Sequence, residues 1–307
     1  MNQNLRVIFL GTPDFAVTPL KALVDAGVNI VAVVTAPDKP AGRGMQIQQP
    51  PVKKYAVENN IPVLQPIKLK SPEFLAELKS YQADLQVVIA FRMLPEAVWN
   101  MPRLGTINLH ASLLPDYRGA APINWAIING ETETGVSTFL LKHEIDTGDI
   151  IISKTVKIGT ETTAGELHDD LMYVGAALIV ETVKAVERGN YTTTPQKNAS
   201  NKVAPKLFTT NCEINWTQTG AQVKNLIRGL SPYPGAFTKL KDQVLKVYNC
   251  RFDAEIHNET LGTMQSNYEK NSYIRFAVAD GWIYPTDVQL QGKKRMKTED
   301  LLRGWRN

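Results

Sequence analysis

The run Thr106-Ile107-Asn108-Leu109-His110 sets an amide and an imidazole two residues apart in a short apolar segment, and a later polar turn carries Asp146. Side chains alternate along a β-strand, so Asn108 and His110 share one face while Ile107 and Leu109 share the other. An amide N–H can donate to an oxygen that gains negative charge. A protonated imidazole can do the same or pass a proton to a leaving nitrogen, and a neighbouring carboxylate favours the charged ring. The set suits acyl transfer to an amine that attacks directly, with no Ser or Cys nucleophile. Taken alone, an Asn and a His two apart on a strand more often fill structural, capping or surface roles than catalytic ones.

The elements around these residues are those of an α/β sheet. Arg6 to Leu10 is a β-rich run broken by Gly11, Thr18 to Ala26 has helical spacing, and Asn29 to Thr35 is almost wholly apolar, as in a strand buried on both faces. The alternation continues with a helix over Val52 to Glu58, a strand over Pro62 to Leu64, a helix over Pro72 to Ser80 and strands over Leu85 to Ala90 and Thr106 to His110. It predicts an α/β fold with a doubly wound, mostly parallel sheet. The Pro- and Gly-rich stretch Ser112 to Pro122 must be loop, so the strand bearing Asn108 and His110 ends in an irregular segment, where open sheets build their sites. Val136 to Lys142 and Ile150 to Lys157 extend the sheet as an antiparallel pair around the turn with Asp146. Ala164 to Arg188 is one long amphipathic helix.

At 307 residues the chain exceeds one comfortable core, and two domains are expected. The boundaries predicted are a first domain over 1–190, a linker over 191–208 rich in Thr, Asn and Lys with Pro195 and Pro205, and a second domain over 209–307. In the last part a helix over Ala221 to Arg228 precedes short strands at Phe237–Leu240, Val244–Cys250, Tyr273–Ala279 and Trp282–Tyr284, which predicts a small β-barrel. The net charge of +4 is uneven: Val203 to Asn307 holds fifteen Lys and Arg against ten Asp and Glu, whereas the rest is nearly neutral. A basic module beside a neutral one fits a polyanion partner, and equally fits ordinary surface variation. Leu5 to Leu10 is too short for a spanning or secretory segment, so a cytoplasmic protein that meets no membrane is expected. Cys212 and Cys250 have no CxxC or nearby His pair, which predicts reduced structural thiols and no metal.

Three longer blocks sharpen the reading: Asn108-Leu109-His110-Ala111-Ser112-Leu113-Leu114-Pro115, Arg118-Gly119-Ala120-Ala121-Pro122-Ile123 and Ile145-Asp146-Thr147-Gly148-Asp149-Ile150. Together they resemble the signature of the folate-dependent formyltransferases. Two flanking blocks, Ile8 to Ala16 and Ala36 to Gly44, agree with the members that act on initiator tRNA. The resemblance spans the chain almost end to end, strongest over 5–150. It implies a Rossmann-like formyltransferase domain followed by an OB-like tRNA-binding domain, and formyl transfer from 10-formyltetrahydrofolate to the amino group of methionine on charged initiator tRNA. It further implies Asn108, His110 and Asp146 as the catalytic set, with the loop Ser112, Leu113, Leu114 and Pro115 beside the folate. Arg43, in the long loop Pro37 to Pro51, and Lys206 at the linker's end would face the tRNA. The expected assembly is a monomer.

One departure is visible, since relatives carry an Ala-Tyr-Gly-type turn where this chain has Ala90-Phe91-Arg92-Met93-Leu94-Pro95. Arg92 is therefore read as a solvated or structurally paired side chain. Gly11-Thr12-Pro13 lacks a GxGxxG pattern, and Pro13 removes a donor, so Gly11 reads as a tight strand-to-helix turn and a nicotinamide dehydrogenase is disfavoured. His143 reads as a surface residue, and His168 and His257 as structural. Gly292 to Lys297 is the densest basic run, as compatible with a solvated turn as with binding to phosphates. Rival readings are a folate formyl enzyme acting on a glycinamide nucleotide, an amino sugar or water, and a non-catalytic RNA-binding protein. The latter has no reason to keep Asn108, His110 and Asp146 together.

Overall fold

The computed structural model describes residues 5–41, 46–196, 201–240, 242–269 and 272–304. In chain order the elements are β1 (Arg6–Gly11), α1 (Val17–Asp25), β2 (Asn29–Val34), β3 (Lys39–Ala41), β4 (Gln46–Gln48), α2 (Pro51–Glu58), β5 (Val63–Leu64), α3 (Pro72–Ser80) and β6 (Leu85–Ile89). There follow α4 (Glu96–Trp99), β7 (Thr106–His110), β8 (Arg118–Gly119), α5 (Pro122–Ile128), β9 (Glu133–Leu140), β10 (Ile150–Lys157) and α6 (Ala164–Glu187). The last part adds β11 (Val203–Ala204), α7 (Gly220–Gly229), β12 (Ala236–Leu240), β13 (Gln243–Asp253), β14 (Met264–Asn267), β15 (Tyr273–Val278), β16 (Gly281–Leu290), β17 (Met296–Lys297) and α8 (Thr298–Gly304). The chain divides into two compact units, one of residues 1–118, 135–156 and 168–202, the other of 119–134, 157–167 and 203–307.

The first unit is built on a seven-stranded sheet in the order β10-β9-β7-β6-β1-β2-β5. β1, β2, β5, β6 and β7 run parallel, and β9 is antiparallel to β7. All five residues of β6 are buried, Gln86 among them, as are Val7 to Leu10 of β1, while β2, the strand read as buried on both faces, buries Ala32 to Val34 and leaves Asn29 to Val31 half-buried. Local chemistry sets the start of α3. Ser71 accepts from the Phe74 N–H at 3.3 Å and Pro72 opens α3, where its missing N–H costs nothing. Strand order reverses between β1 and β6, so the crevice of this sheet lies past Gly11 and Ile89, next to the end of β7. The loop Pro37 to Pro51 is partly a hairpin: Lys39 pairs with Gln48 and Pro40 with Ile47. Asp38 anchors it by accepting from Lys53 at 2.6 Å and Gln65 at 2.7 Å, which holds its carboxyl below the usual range.

The second unit carries an antiparallel sheet in the order β12-β13-β16-β15-β14, with β17 on β16. Its inner face, α7 and α8 close one core that includes Val223, Ile227, Val247, Ile274, Phe276 and Ile283. Thr219 and Gln222 cap α7 reciprocally. β16 runs well past the Trp282–Tyr284 read from sequence, because Pro285 lies opposite Cys250 where the register slips. A proline is tolerated at such an irregularity. β14 escaped the sequence reading since Met264-Gln265-Ser266-Asn267 is half-buried and polar. Cys212 and Cys250 are free and buried in this core, and burial pushes the Cys250 thiol up to about 12.

Candidate active site

The alternation along β7 holds. Ile107 and Leu109 are buried on one face, where Leu109 packs so closely on α6 that a Cβ at Gly175 would lie 2.8 Å from its Cδ2. Thr138 of β9 reaches Thr182 of α6 on the same side at 2.9 Å. Asn108 and His110 occupy the opposite face, paired across the ladder with Phe139 and Ser137 of β9. Asn108 is half-buried and His110 only 8% exposed.

His110 lies between a carbonyl and a carboxylate. Its Nε2 is 2.9 Å from the Tyr117 carbonyl oxygen, and its Nδ1 is 3.9 Å from Oδ2 of Asp146. A carbonyl can only accept, so Nε2 carries a hydrogen in both charge states of the ring. Nδ1 is then the atom that gains or loses a proton, on the side facing Asp146. The 3.9 Å gap is too long for a hydrogen bond and short enough for Coulombic attraction to a protonated ring. Both side chains are shielded, at 9% and 13% exposure, which lowers the local dielectric and strengthens that attraction.

Asp146 reaches His110 from a left-handed backbone position, φ +54°, that costs a non-glycine residue about 1–3 kcal/mol unless neighbours hold it. Gly148 is part of that hold: the turn passes so close to β9 that a Cβ there would lie 1.6 Å from the Leu140 carbonyl oxygen. Tyr117 is also left-handed, at φ +57°, and its N–H donates to the Lys202 carbonyl at 2.7 Å. The Tyr117 residue that frames His110 is therefore bonded through both its N–H and its carbonyl.

The loop Ser112 to Pro115 is tied to β9 through one hydroxyl. Ser137 Oγ donates to the Ser112 carbonyl at 2.8 Å and accepts from the Leu114 N–H at 3.2 Å. Ser112 is fully buried with its own Oγ donating to the Asp116 carbonyl, Leu114 is buried too, and the half-buried Leu113 covers Gly135 of β9, where a Cβ would lie 2.5 Å from its Cδ2. After β6, Ala90 turns at φ +48°, and Met93 and, after β5, Ile67 are 73% and 80% exposed. Arg92 donates to the carbonyls of Ile67 at 3.0 Å and Pro66 at 2.5 Å, so of the two roles read from sequence, solvated or structurally paired, the second is observed. A Cβ at Gly11 would lie 2.7 Å from the Phe9 ring and 2.8 Å from Ala16, which makes that glycine a packing requirement.

The other candidates fall elsewhere. Arg43 lies outside the described residues. Lys206 is exposed in the second unit, its ammonium 5.7 Å from the centre of the Phe208 ring. His143 is exposed, His168 bonds Asp169 at 2.9 Å, and His257 bonds the carbonyls of Val278 and Gly281. In the basic run, Arg295 is engaged twice by Asp287 and lies over the Tyr248 ring, while Lys293 and Lys294 are exposed. Among the described residues no helix is long and apolar enough to cross a membrane. The sequence reading missed Tyr117 and Ser137. The first acts through its backbone, which no residue type signals, and the second sits on a strand with no motif of its own.

Residues 5–183 match the formyl transferase family, and 206–306 match its C-terminal domain. The methionyl-tRNA formyltransferase of Bacteroides fragilis is 49% identical over 99% of this chain and 96% of its own. The one from Flavobacterium johnsoniae is 50% identical over 98% and 96%. Among solved structures, the sugar 3N-formyl transferase WlaRD superposes with a TM-score of 0.67 at 19% identity, covering 95% of this chain and all of that one. An N-formyltransferase from Helicobacter canadensis, solved with folinic acid and dTDP-3-aminofucose, gives 0.65 at 21% identity over 92% and 98%. With both family domains matched in order and about half of all residues shared with full-length relatives, the chain belongs to the formyl transferase family.

Proposed function

We propose that the chain transfers the formyl group of 10-formyltetrahydrofolate to the amino group of methionine on charged initiator tRNA. The observation that carries the reading is His110 held between the Tyr117 carbonyl and Asp146, on the strand face it shares with Asn108. The co-substrate supplies the activated formyl carbon. Its flat ring suits the crevice past β1 and β6, where the segment after β6 exposes Met93 and the Ser112–Pro115 loop follows β7.

In the mechanism the neutral amine attacks the formyl carbon. Asn108 donates its amide N–H to the oxygen that becomes negative, and protonated His110 donates from Nδ1 in the same low-dielectric site. Asp146 balances the charge on the ring. As the carbon–N10 bond breaks, the proton lost by the amine ends on N10, relayed through the His110–Asp146 pair. No bond between enzyme and substrate forms.

Residues 1–190 would act as the catalytic domain, 191–208 as the connection and 209–307 as an OB-like tRNA-binding domain, with Arg43 and Lys206 facing the tRNA. The protein would work as a cytoplasmic monomer. The names of the full-length relatives favour tRNA over the amino sugars of the structural neighbours. An acceptor panel tests this. With 10-formyltetrahydrofolate, the purified protein formylates charged initiator tRNA and leaves a nucleotide-linked amino sugar unmodified; the reverse preference would refute the proposal.

A further inference from the structure

The turn that presents Asp146 is clamped by a side chain from beyond α6. The amide nitrogen of Gln196 donates to the carbonyl of Asp146 at 2.9 Å and to that of Gly148 at 2.8 Å, using both its hydrogens. The amide oxygen accepts from Nε and Nη2 of Arg118, at 3.0 and 2.5 Å. Two residues upstream, Thr194 exchanges both backbone hydrogen bonds with Ile150, so the segment that carries Gln196 is itself fixed to the start of β10. A fully bonded amide thus spans a turn that begins on a left-handed residue.

Resting on the assignment of Asp146 above, we infer that Gln196 is a positioning residue that sets the Asp146 carboxylate against Nδ1 of His110. Its amide is taken up by protein groups, two carbonyls and the Arg118 guanidinium. Nothing in its neighbourhood of sequence announces it, because its partners are backbone carbonyls about fifty positions away. Nor does the arrangement reduce to a simple brace for Arg118: an acceptor alone would serve that purpose, whereas the two donated bonds grip the turn on either side of Thr147.

The two halves of the amide can be separated by substitution. Gln196→Glu keeps the size and an acceptor for Arg118 but removes the donors, since an ionised carboxylate only accepts. Gln196→Ala removes both. Steady-state formylation of charged initiator tRNA is measured for these two variants, for Asp146→Ala and for Asp146→Ala combined with Gln196→Ala, alongside thermal melts and folate binding. Both single Gln196 variants are expected to lose about tenfold to a hundredfold in kcat, the scale of a misplaced reacting group, with both KM values little changed. In the Asp146→Ala background Gln196→Ala should add nothing. Wild-type kcat in Gln196→Glu, a loss confined to KM, or a full further loss in the Asp146→Ala background would each overturn the inference while leaving the Asp146 assignment intact. Wild-type turnover in Asp146→Ala would instead overturn that assignment, and the inference with it.

Discussion

The Tyr117 carbonyl lies 2.9 Å from Nε2 of His110 and can only accept, so that nitrogen keeps its hydrogen in either charge state of the ring. With Nε2 committed to that carbonyl, the ring serves the reaction from Nδ1 only, and Asp146 faces that atom. His110→Ala and Asp146→Ala should each fold as the wild type and lose turnover, the His110 variant by about a hundredfold to a thousandfold as for removal of an oxyanion donor. Their effects should be less than additive, because the two side chains act as one proton-handling unit. Turnover assays on the two single variants and the double variant check this, with independent losses that multiply as the contrary result.

At the level of elements, the site depends on how closely β9, the Asp146 turn and the Ser112–Pro115 loop approach one another. Gly148→Ala places a methyl group against the Leu140 carbonyl, so the turn must move. Overpacking of this kind costs about 1–3 kcal/mol. The variant should melt at lower temperature and lose turnover while still binding folate; a melt and rate like the wild type would show that the turn has room the close approach denies. The strand face of Asn108 and His110 was legible in sequence, because period-two alternation in Thr106 to His110 admits one arrangement. So was α6, whose apolar spacing predicts nearly the helix observed. The clamp at Asp146 was not legible: Gln196 lies in a polar stretch after α6, and its partners are carbonyls that every residue carries. The long loop before α2 likewise hid a hairpin, since three pairs through Pro40 and Ile47 leave no periodic trace.

For the molecule as a whole, the composition of the second unit changes which experiments can be read. Residues 119–134 and 157–167 belong to it, and within it Asn124 donates to the Gly229 carbonyl, Trp125 to that of Pro205, and Arg228 to those of Gly159 and Thr162. A chain cut near Lys202 strips those segments of their partners, so tRNA binding is better probed in the full-length protein. Lys293→Gln with Lys294→Gln should weaken tRNA binding and lower the slope of log affinity against log salt by about 0.7 to 0.9 for each phosphate no longer neutralised. Arg43→Ala should weaken tRNA use with folate affinity unchanged. Binding titrations over a salt series decide both, and an unchanged slope in the lysine pair would leave those cations as solvated surface. The central claim is that Asn108 and His110 together stabilise the charge that develops on the formyl oxygen. It is tested most directly by single-turnover transfer of labelled formyl from 10-formyltetrahydrofolate to charged initiator tRNA, both saturating, for the wild type and Asn108→Ala. The account predicts that folate binding and melting stay the same while the transfer step slows by about a hundredfold or more; transfer at the wild-type rate in a correctly folded Asn108→Ala would contradict it.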